Sequence, residues 1–463
     1  MSKAIILVGT PVEGIPAGGF IRDAKVLPYF SKVLRARGFS TVIYVPVNSI
    51  ASAIRFSVKG GSDLGEAFET VVRDLCNGVR RSGVEAPLLD EAIAESLSAL
   101  KWELNYGGLF TKVVSRALGF GYAYVYRIKR VEERLLKRFL RYVSSGFDGV
   151  SFIYSMNENI ERFISLTTLA EKLRLPAGIM LQLPLYTYTT ITITSSGGPR
   201  LTVRIANQQL NSYSRMLFIA IVRRGFLKLI QAVSPAPLVE SHDLVDIARR
   251  YGVRISIPVP GNAFHKEILE YRSLREKEPV AVYFGRLSPD KGLYDLLYVW
   301  SYVEKALPKA RLMLIGSFTS ERVERRFNEL SSKLGLRNVE YLGYFKHREE
   351  LYRHVAEAKV LVYPSHQDSF SLTMLEAIAL GLLRVAYSIP ALRYIYKDIP
   401  SVTLVRKGDI EGMSRAVVRA LRMSYDEYLR VQTSPKLLEF LEAHGSWERV
   451  AIAELNGILR YLG

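Results

Sequence analysis

Short apolar runs alternate along this chain with segments whose apolar residues recur every three to four positions. That is the pattern of strands buried on both faces and of helices that cover them. The first run, 4–8, reads as a strand. It leads into the loop Gly9-Thr10-Pro11-Val12-Glu13-Gly14-Ile15-Pro16-Ala17-Gly18-Gly19. A helix follows from about Phe20 to Ala36, ended by Gly38, and then a strand from Thr41 to Val45. This is a βαβ opening with a glycine-rich turn, although not the Gly-x-Gly-x-x-Gly fingerprint. Residues 48–145 read as mostly helical, more than a crossover needs, and so as a helical insertion. Phe147 to Tyr154 returns to strand. Leu185 to Ile193 and Leu201 to Ile205 alternate around Ser195-Ser196-Gly197-Gly198-Pro199 as a β-hairpin. Met216 to Ile230 reads as a basic, apolar helix, and Ala232 to Pro258 as a further helix and strand.

The polar stretch 261–278 reads as a linker, and from Val280 the alternation is regular. Strands are predicted at 280–284, 311–315, 338–342, 359–363 and 383–387 with helices between them, and a final helix begins at Ser446-Trp447-Glu448. The expected fold class is α/β, with two doubly wound Rossmann-like domains and a helical insertion and a β-hairpin in the first. The boundaries are 1–260, a linker at 261–278, a second domain at 279–440 and a C-terminal helix at 441–463.

Composition adds three constraints. With 463 residues, 49% of them apolar, the chain suits large cores in two to three domains. Its single cysteine, Cys76, excludes an intramolecular disulfide and a cysteine-based zinc site, and reads as a small buried apolar side chain in a reducing compartment. A formal net charge of +18 argues for an anionic partner: phosphate-bearing substrates, an anionic membrane surface or nucleic acid. No RNA-binding or helix-turn-helix signature supports nucleic acid. The N-terminus runs straight into a strand with no signal-peptide pattern, and the longest uncharged stretch, Leu175 to Pro199, reads as strands rather than a membrane span. A cytoplasmic location is expected.

The charge has one local concentration. Lys112, Arg116, Arg127, Lys129, Arg130, Arg134, Lys137, Arg138 and Arg141 surround an apolar face of Val131, Leu135, Phe139 and Val143, just after Phe110, Phe120, Tyr122, Tyr124 and Tyr126. Two readings fit: an amphipathic helix lying on an anionic membrane, or a surface helix packed on the sheet.

The chemistry lies in two loops that follow predicted strands. Gly285-Arg286-Leu287-Ser288-Pro289-Asp290-Lys291-Gly292 offers a forked guanidinium and a movable ammonium, enough to neutralise a pyrophosphate. Pro364-Ser365-His366-Gln367-Asp368-Ser369-Phe370-Ser371 opens a helix from Leu372 to Leu380, whose first amides form an anion site. Glu376 sits among apolar helix residues and needs a partner, either a ligand's vicinal hydroxyls or a neighbouring arginine. His366 reads as a loop hydrogen-bonder. The six histidines are scattered, metal-ligand spacing is absent, and no cofactor is implied.

These residues resemble the retaining nucleotide-sugar glycosyltransferases of the GT-B fold, the group of glycogen synthases and lipid-glycan mannosyltransferases. The likeness rests on Gly285-Arg286-Leu287 with Lys291-Gly292, Leu314-Ile315-Gly316-Ser317, Asn338 to Gly343, the carboxylates Asp368 and Glu376, and Ser446-Trp447-Glu448. In the first domain it rests on Ala17-Gly18-Gly19 and Leu34 to Phe39. It implies two domains facing a cleft, the first on the acceptor side and the second binding the donor, with the last helix returning to the first domain. It implies metal-independent transfer of a hexose from a UDP- or GDP-sugar, with retention, to a glycan or lipid-phosphate-linked acceptor at the inner face of a membrane. Arg286 and Lys291 would then hold the diphosphate and, with Asp368, carry catalysis. Glu376 would bind the ribose. Asp368 with Ser369, Phe370, Ser371 and Leu372 would hold sugar and phosphate, while Gly285, Gly18 and Gly19 would approach the phosphates. Two positions depart from the group: Asp368 stands where a glutamate is usual, and Gln182 where a histidine is. A catalytically degenerate nucleotide-sugar-binding protein of a glycan assembly complex is the alternative.

Overall fold

The computed structural model describes residues 3–13, 18–59, 63–106, 122–186, 188–193, 201–206, 209–345 and 347–462. Ala17, Phe110, Lys112, Arg116, Phe120 and the hairpin loop 195–199, all named above, lie outside the described residues. The chain divides into two units. Unit 1 comprises Met1–Val233, Pro237–Gly261 and Val450–Gly463, and unit 2 comprises Ser234–Ala236 and Asn262–Arg449.

The strands of unit 1 are β1 (Lys3–Val8), β2 (Phe39–Tyr44), β3 (Val150–Ser155), β4 (Ala177–Leu181), β5 (Tyr188–Ile193), β6 (Leu201–Ala206), β7 (Leu227–Ala232) and β8 (Arg254–Ser256). Six of them form a parallel sheet in the order β2-β1-β3-β4-β7-β8, and β5 and β6 form a separate antiparallel hairpin. The sheet is buried on both faces, as its continuous apolar runs predict: Ala4 to Val8 are fully covered. Among the described residues the helical insertion contains the helices Val47–Lys59, Leu64–Ser82, Leu89–Tyr106 and Tyr122–Gly146.

The last of these helices answers the question raised by its basic face. Leu136, Phe139 and Val143 are buried in the core of unit 1, Leu135 is buried beside them, and the Phe139 ring is edge-on to Tyr44 at 5.1 Å. Two of its arginines are paired: Arg134 with Glu95 and Arg138 with Glu91. The apolar face is already spent on the sheet, so this is a packed surface helix. Among the described residues no helix is long and apolar enough to cross a membrane. Cys76 is half-buried on Leu64–Ser82.

One predicted element is wrong. The stretch Met216 to Ile230 does not continue as a helix: the helix is Gln209–Arg223, Gly225 takes a left-handed φ of 74°, and Leu227 starts β7. A glycine just past a helix end is a stop signal. The apolar residues beyond it satisfy either period, and the sheet, with β4 on one side and β8 on the other, decides between them.

Unit 2 contains β9 (Val280–Phe284), β10 (Arg311–Ile315), β11 (Val339–Gly343), β12 (Val360–Tyr363), β13 (Leu383–Tyr387) and β14 (Val402–Val405). They form a parallel sheet in the order β11-β10-β9-β12-β13-β14. The short edge strand β14 was not anticipated. The stretch read as a linker packs into this unit from Asn262 onward, with Ile268 fully buried on a 3-10 turn. Both sheets are doubly wound: the chain leaves β1 and β9 toward one edge, then returns to build toward the other. The strand order of unit 2 therefore reverses between β9 and β12. Beyond the carboxyl ends of the strands at such a point, the loops part and leave a crevice.

Candidate functional site

Both loops singled out in the sequence leave strands at that reversal point. The first follows β9 and the second follows β12, and β9 and β12 are hydrogen-bonded neighbours. Two glycines let backbones meet there. A Cβ on Gly292, which has φ 75°, would come within 1.9 Å of the Pro364 carbonyl oxygen, so only glycine lets the loops touch. A Cβ on Gly316, after β10, would come within 1.8 Å of the Gly285 carbonyl oxygen. The Gly285 amide donates to Ile315 at 3.0 Å, and the His366 amide to the Asp290 carbonyl at 3.0 Å.

The two cations of the first loop have different surroundings. The Arg286 side chain is 65% exposed, with its guanidinium 3.8 Å from Asp290. Lys291 is mostly covered. Its Nζ lies 2.8 Å from Asp368 Oδ2 and donates to the Gln367 carbonyl at 3.0 Å.

Asp368 is surrounded by donors. Oδ2 also accepts from the Tyr363 hydroxyl at 2.6 Å, and Oδ1 accepts from the amides of Phe370 at 3.1 Å and Ser371 at 2.8 Å. Burial alone would raise the pKa of this carboxyl, but Lys291, Tyr363 and the Phe370 amide outweigh it and hold the group below its ordinary value. Ser371 adopts φ 67°, unusual for a residue with a side chain. Its Oγ accepts from Met374 N at 3.2 Å and caps the helix Leu372–Ala379. The Ser371 carbonyl takes the Tyr396 hydroxyl at 3.0 Å, and the Ser369 carbonyl takes Ser234 Oγ at 2.5 Å. These bonds hold the loop from several sides, which is how an unfavourable φ persists.

Glu376 finds the arginine that its buried surroundings call for: Arg348 at 3.7 Å, with the Tyr352 hydroxyl at 3.4 Å. Both contacts are long. Burial, opposed by these two groups, keeps its pKa above the usual carboxylate value. The far end of the same helix is held by Arg272, which donates to the carbonyls of Ile378 at 2.8 Å and Ala379 at 3.2 Å. A cation there complements the helix dipole. His366 is a loop hydrogen-bonder, as expected: its Nε2 is 3.1 Å from Asp295 Oδ2, which also accepts from the Tyr387 hydroxyl at 2.8 Å.

Behind Phe370 lies His444, with ring centroids 6.1 Å apart, stacked on Phe440 at 4.0 Å. Burial pushes the pKa of this imidazole down from 6.5 to about 4. The unfolded chain therefore binds a proton that the folded chain refuses between these values. Stability from this group is complete above pH 6.5 and declines as pH falls toward 4, by at most about 3 kcal/mol. Urea denaturation from pH 7 to 4 should show that decline. His444→Gln should flatten it, and an equal slope in both proteins would refute the assignment.

Arg286, Lys291, Asp368, Ser369, Phe370, Ser371, Leu372, Glu376 and Gly285 are thus brought together at one end of one sheet. Gly18 and Gly19 belong to unit 1, where they open the helix Gly18–Ala36. Gln182 is also in unit 1, with Nε2 3.2 Å from the Met156 carbonyl and 3.5 Å from Asp23 Oδ1. The sequence reading missed Tyr363, Tyr352, Arg348 and Arg272. Of these, only Tyr363 carried a signal, as the last strand residue before Pro364. Among the described residues no cluster of His, Cys, Asp and Glu could hold a metal ion.

Comparison with known proteins bears on the family and the fold. Residues 265–434, which lie within unit 2, match the family model "Glycosyl transferases group 1". A glycogen synthase of Mycobacterium tuberculosis is 27% identical over 174 residues, 37% of this chain and 40% of that protein. The GDP-mannose:cellobiosyl-diphosphopolyprenol alpha-mannosyltransferase of Xanthomonas oryzae is 26% identical over 145 residues, 31% of this chain and 38% of that one. The chain thus spans about 40% of the length of the curated relatives it matches. Among solved structures, Anabaena HepE in complex with UDP and glucose superposes over 99% of this chain and 100% of its own, with a TM-score of 0.56 at 12% identity. At that identity the likeness concerns the fold, which is the two-domain GT-B glycosyltransferase fold.

Proposed function

We propose that this chain is a retaining hexosyltransferase that uses a nucleoside diphosphate sugar, either a UDP- or a GDP-sugar. The observation that carries the reading is the meeting of Arg286, Lys291 and the start of the helix Leu372–Ala379 at the reversal point of the sheet. In the transfer, the bond from the anomeric carbon to the diphosphate oxygen breaks. A bond from that carbon to an acceptor oxygen forms, and the acceptor's proton passes to the departing diphosphate oxygen, which has taken the electron pair of the broken bond. The charge that develops on the diphosphate falls where Arg286 and Lys291 can stabilise it, so the step needs no metal. Glu376 takes the ribose hydroxyls, for which its long contacts to Arg348 and Tyr352 leave it available. The acceptor is a glycan or a lipid-phosphate-linked glycan, a reading supported by the names of the relatives and by the net charge of +18. Gly18, Gly19 and Gln182 would contribute from unit 1.

A second reading, a nucleotide-binding protein without turnover, is favoured by one observation: Asp368 is fully engaged by its own chain. One experiment separates the two. Melting temperatures are measured with UDP, GDP and their common sugars, followed by donor hydrolysis and transfer. A ligand at about 100 times its Kd stabilises by roughly 2.7 kcal/mol, which is a clear shift. A shift with one nucleotide family and turnover of its sugar supports the transferase. A shift without turnover supports the second reading, and no shift with any nucleotide removes both.

A further inference from the structure

The four donors on Asp368 have a consequence for how this site is filled. A diphosphate at the reversal point would be met by Lys291 and by amides at the start of the helix Leu372–Ala379. In this structure those groups already meet an anion, the Asp368 carboxylate. Oδ2 takes the Lys291 ammonium at 2.8 Å, and Oδ1 takes the Phe370 and Ser371 amides at 3.1 and 2.8 Å. The Tyr363 hydroxyl, at 2.6 Å, anchors Oδ2 from the strand side. Of the loop's two cations, Arg286 is the more exposed, and its contact to Asp290 is the longer one, at 3.8 Å.

We infer that Asp368 acts as an internal surrogate for the donor's phosphate, and that a nucleoside diphosphate enters by displacing its carboxylate from Lys291 and the loop amides. This rests on the reading of the site proposed above, and it assigns Asp368 a role opposite to simple attraction of the donor. The carboxylate competes with the leaving diphosphate for the same cation, and it returns when the product departs. An aspartate suits the task because its short side chain reaches the amides two and three residues ahead while still facing Lys291. Held ionised by its donors, it competes across the neutral pH range.

The test is calorimetric titration of UDP, GDP and inorganic pyrophosphate into the full chain and its Asp368→Asn variant. Asparagine keeps an oxygen for the two amides, so the loop retains its order, but the charge facing Lys291 is gone. The variant should bind the diphosphate about fivefold more tightly or better, the scale of one partly covered ion pair. Pyrophosphate should gain by the same factor, because no sugar or base is involved. Tyr363→Phe should give a smaller gain in the same direction, by loosening the anchor. Melting curves without ligand check that both variants are folded. If the wild type binds a nucleotide and Asp368→Asn binds it no better, the inference is overturned and Asp368 is a helix cap or a sugar ligand. If neither protein binds any of the three ligands, the proposed function falls and takes the inference with it.

Discussion

Arg286→Ala is expected to reduce sugar transfer by roughly 10²–10³-fold, the loss that follows removal of one preorganised group facing developing charge. The fold should not notice. The side chain is 65% exposed and its one ion pair, to Asp290, is 3.8 Å long, a contact worth little in water. Lys291 cannot compensate, because it already faces the diphosphate on its own account and, as a single point charge, cannot replace the guanidinium fork. Arg286→Lys should recover only part of the loss, since an ammonium lacks the fork that grips two phosphate oxygens. The checks are steady-state transfer kinetics and a melting curve on the same preparations. Wild-type kcat/KM in Arg286→Ala would remove this residue from the site. A large drop in melting temperature would mean that the loop had been misjudged.

Glu454→Ala should cost about 3–5 kcal/mol of stability, as expected when one partner of a buried ion pair is removed. Glu454 is fully buried on the last helix, Trp447–Leu462. Its Oε2 accepts from Arg22 at 2.6 Å and its Oε1 from the Tyr154 hydroxyl at 2.7 Å. Gln231 joins the network, donating to Tyr154 at 3.0 Å and to the Glu454 carbonyl at 2.9 Å. Arg22, itself 2% exposed, keeps two bonds to the Gly261 carbonyl at 3.3 Å but has an Nη1 without a partner. Alanine at 454 would strand its charge in the interior, where an arginine cannot neutralise itself by losing a proton. Glu454→Gln, which keeps the shape and one acceptor, should lose less. Urea denaturation measures all three proteins. A change below about 1 kcal/mol for Glu454→Ala would show that the last helix is held by its apolar contacts alone.

Both variants illustrate what was legible in the chain. The strand β9 and its loop were readable because the information is local. Val280-Ala281-Val282-Tyr283-Phe284 is apolar throughout, as a strand covered on both faces must be; Gly285 marks a backbone position of positive φ, and Gly292 one that has no room for a side chain. The same holds for β12, the helix that follows it, and the carboxylates Asp368 and Glu376. The Met216 to Ile230 segment was misread because Leu227, Leu229 and Ile230 fit helix and strand equally, and only pairing with β4 and β8 distinguishes them. The short edge strand β14 offered too few residues to show a period. The basic helix left two readings open, and burial of Phe139 and Val143 decided between them.

The sequence by itself determined the alternating elements, the two loops and the residue types they carry, because burial and backbone conformation act over a few neighbouring positions. The tertiary structure alone decided which of those residues face one another. Lys291 meets Asp368 across 77 positions, Glu376 faces an arginine and a tyrosine from a different helix, and Arg22 meets Glu454 across 432. Charge pairing depends on distance in space, and no local pattern in a chain records which distant carboxylate will come within 3 Å of a given cation. For that reason the sequence pointed to a site for a diphosphate, and only the folded structure showed that the site is already met by a carboxylate of its own.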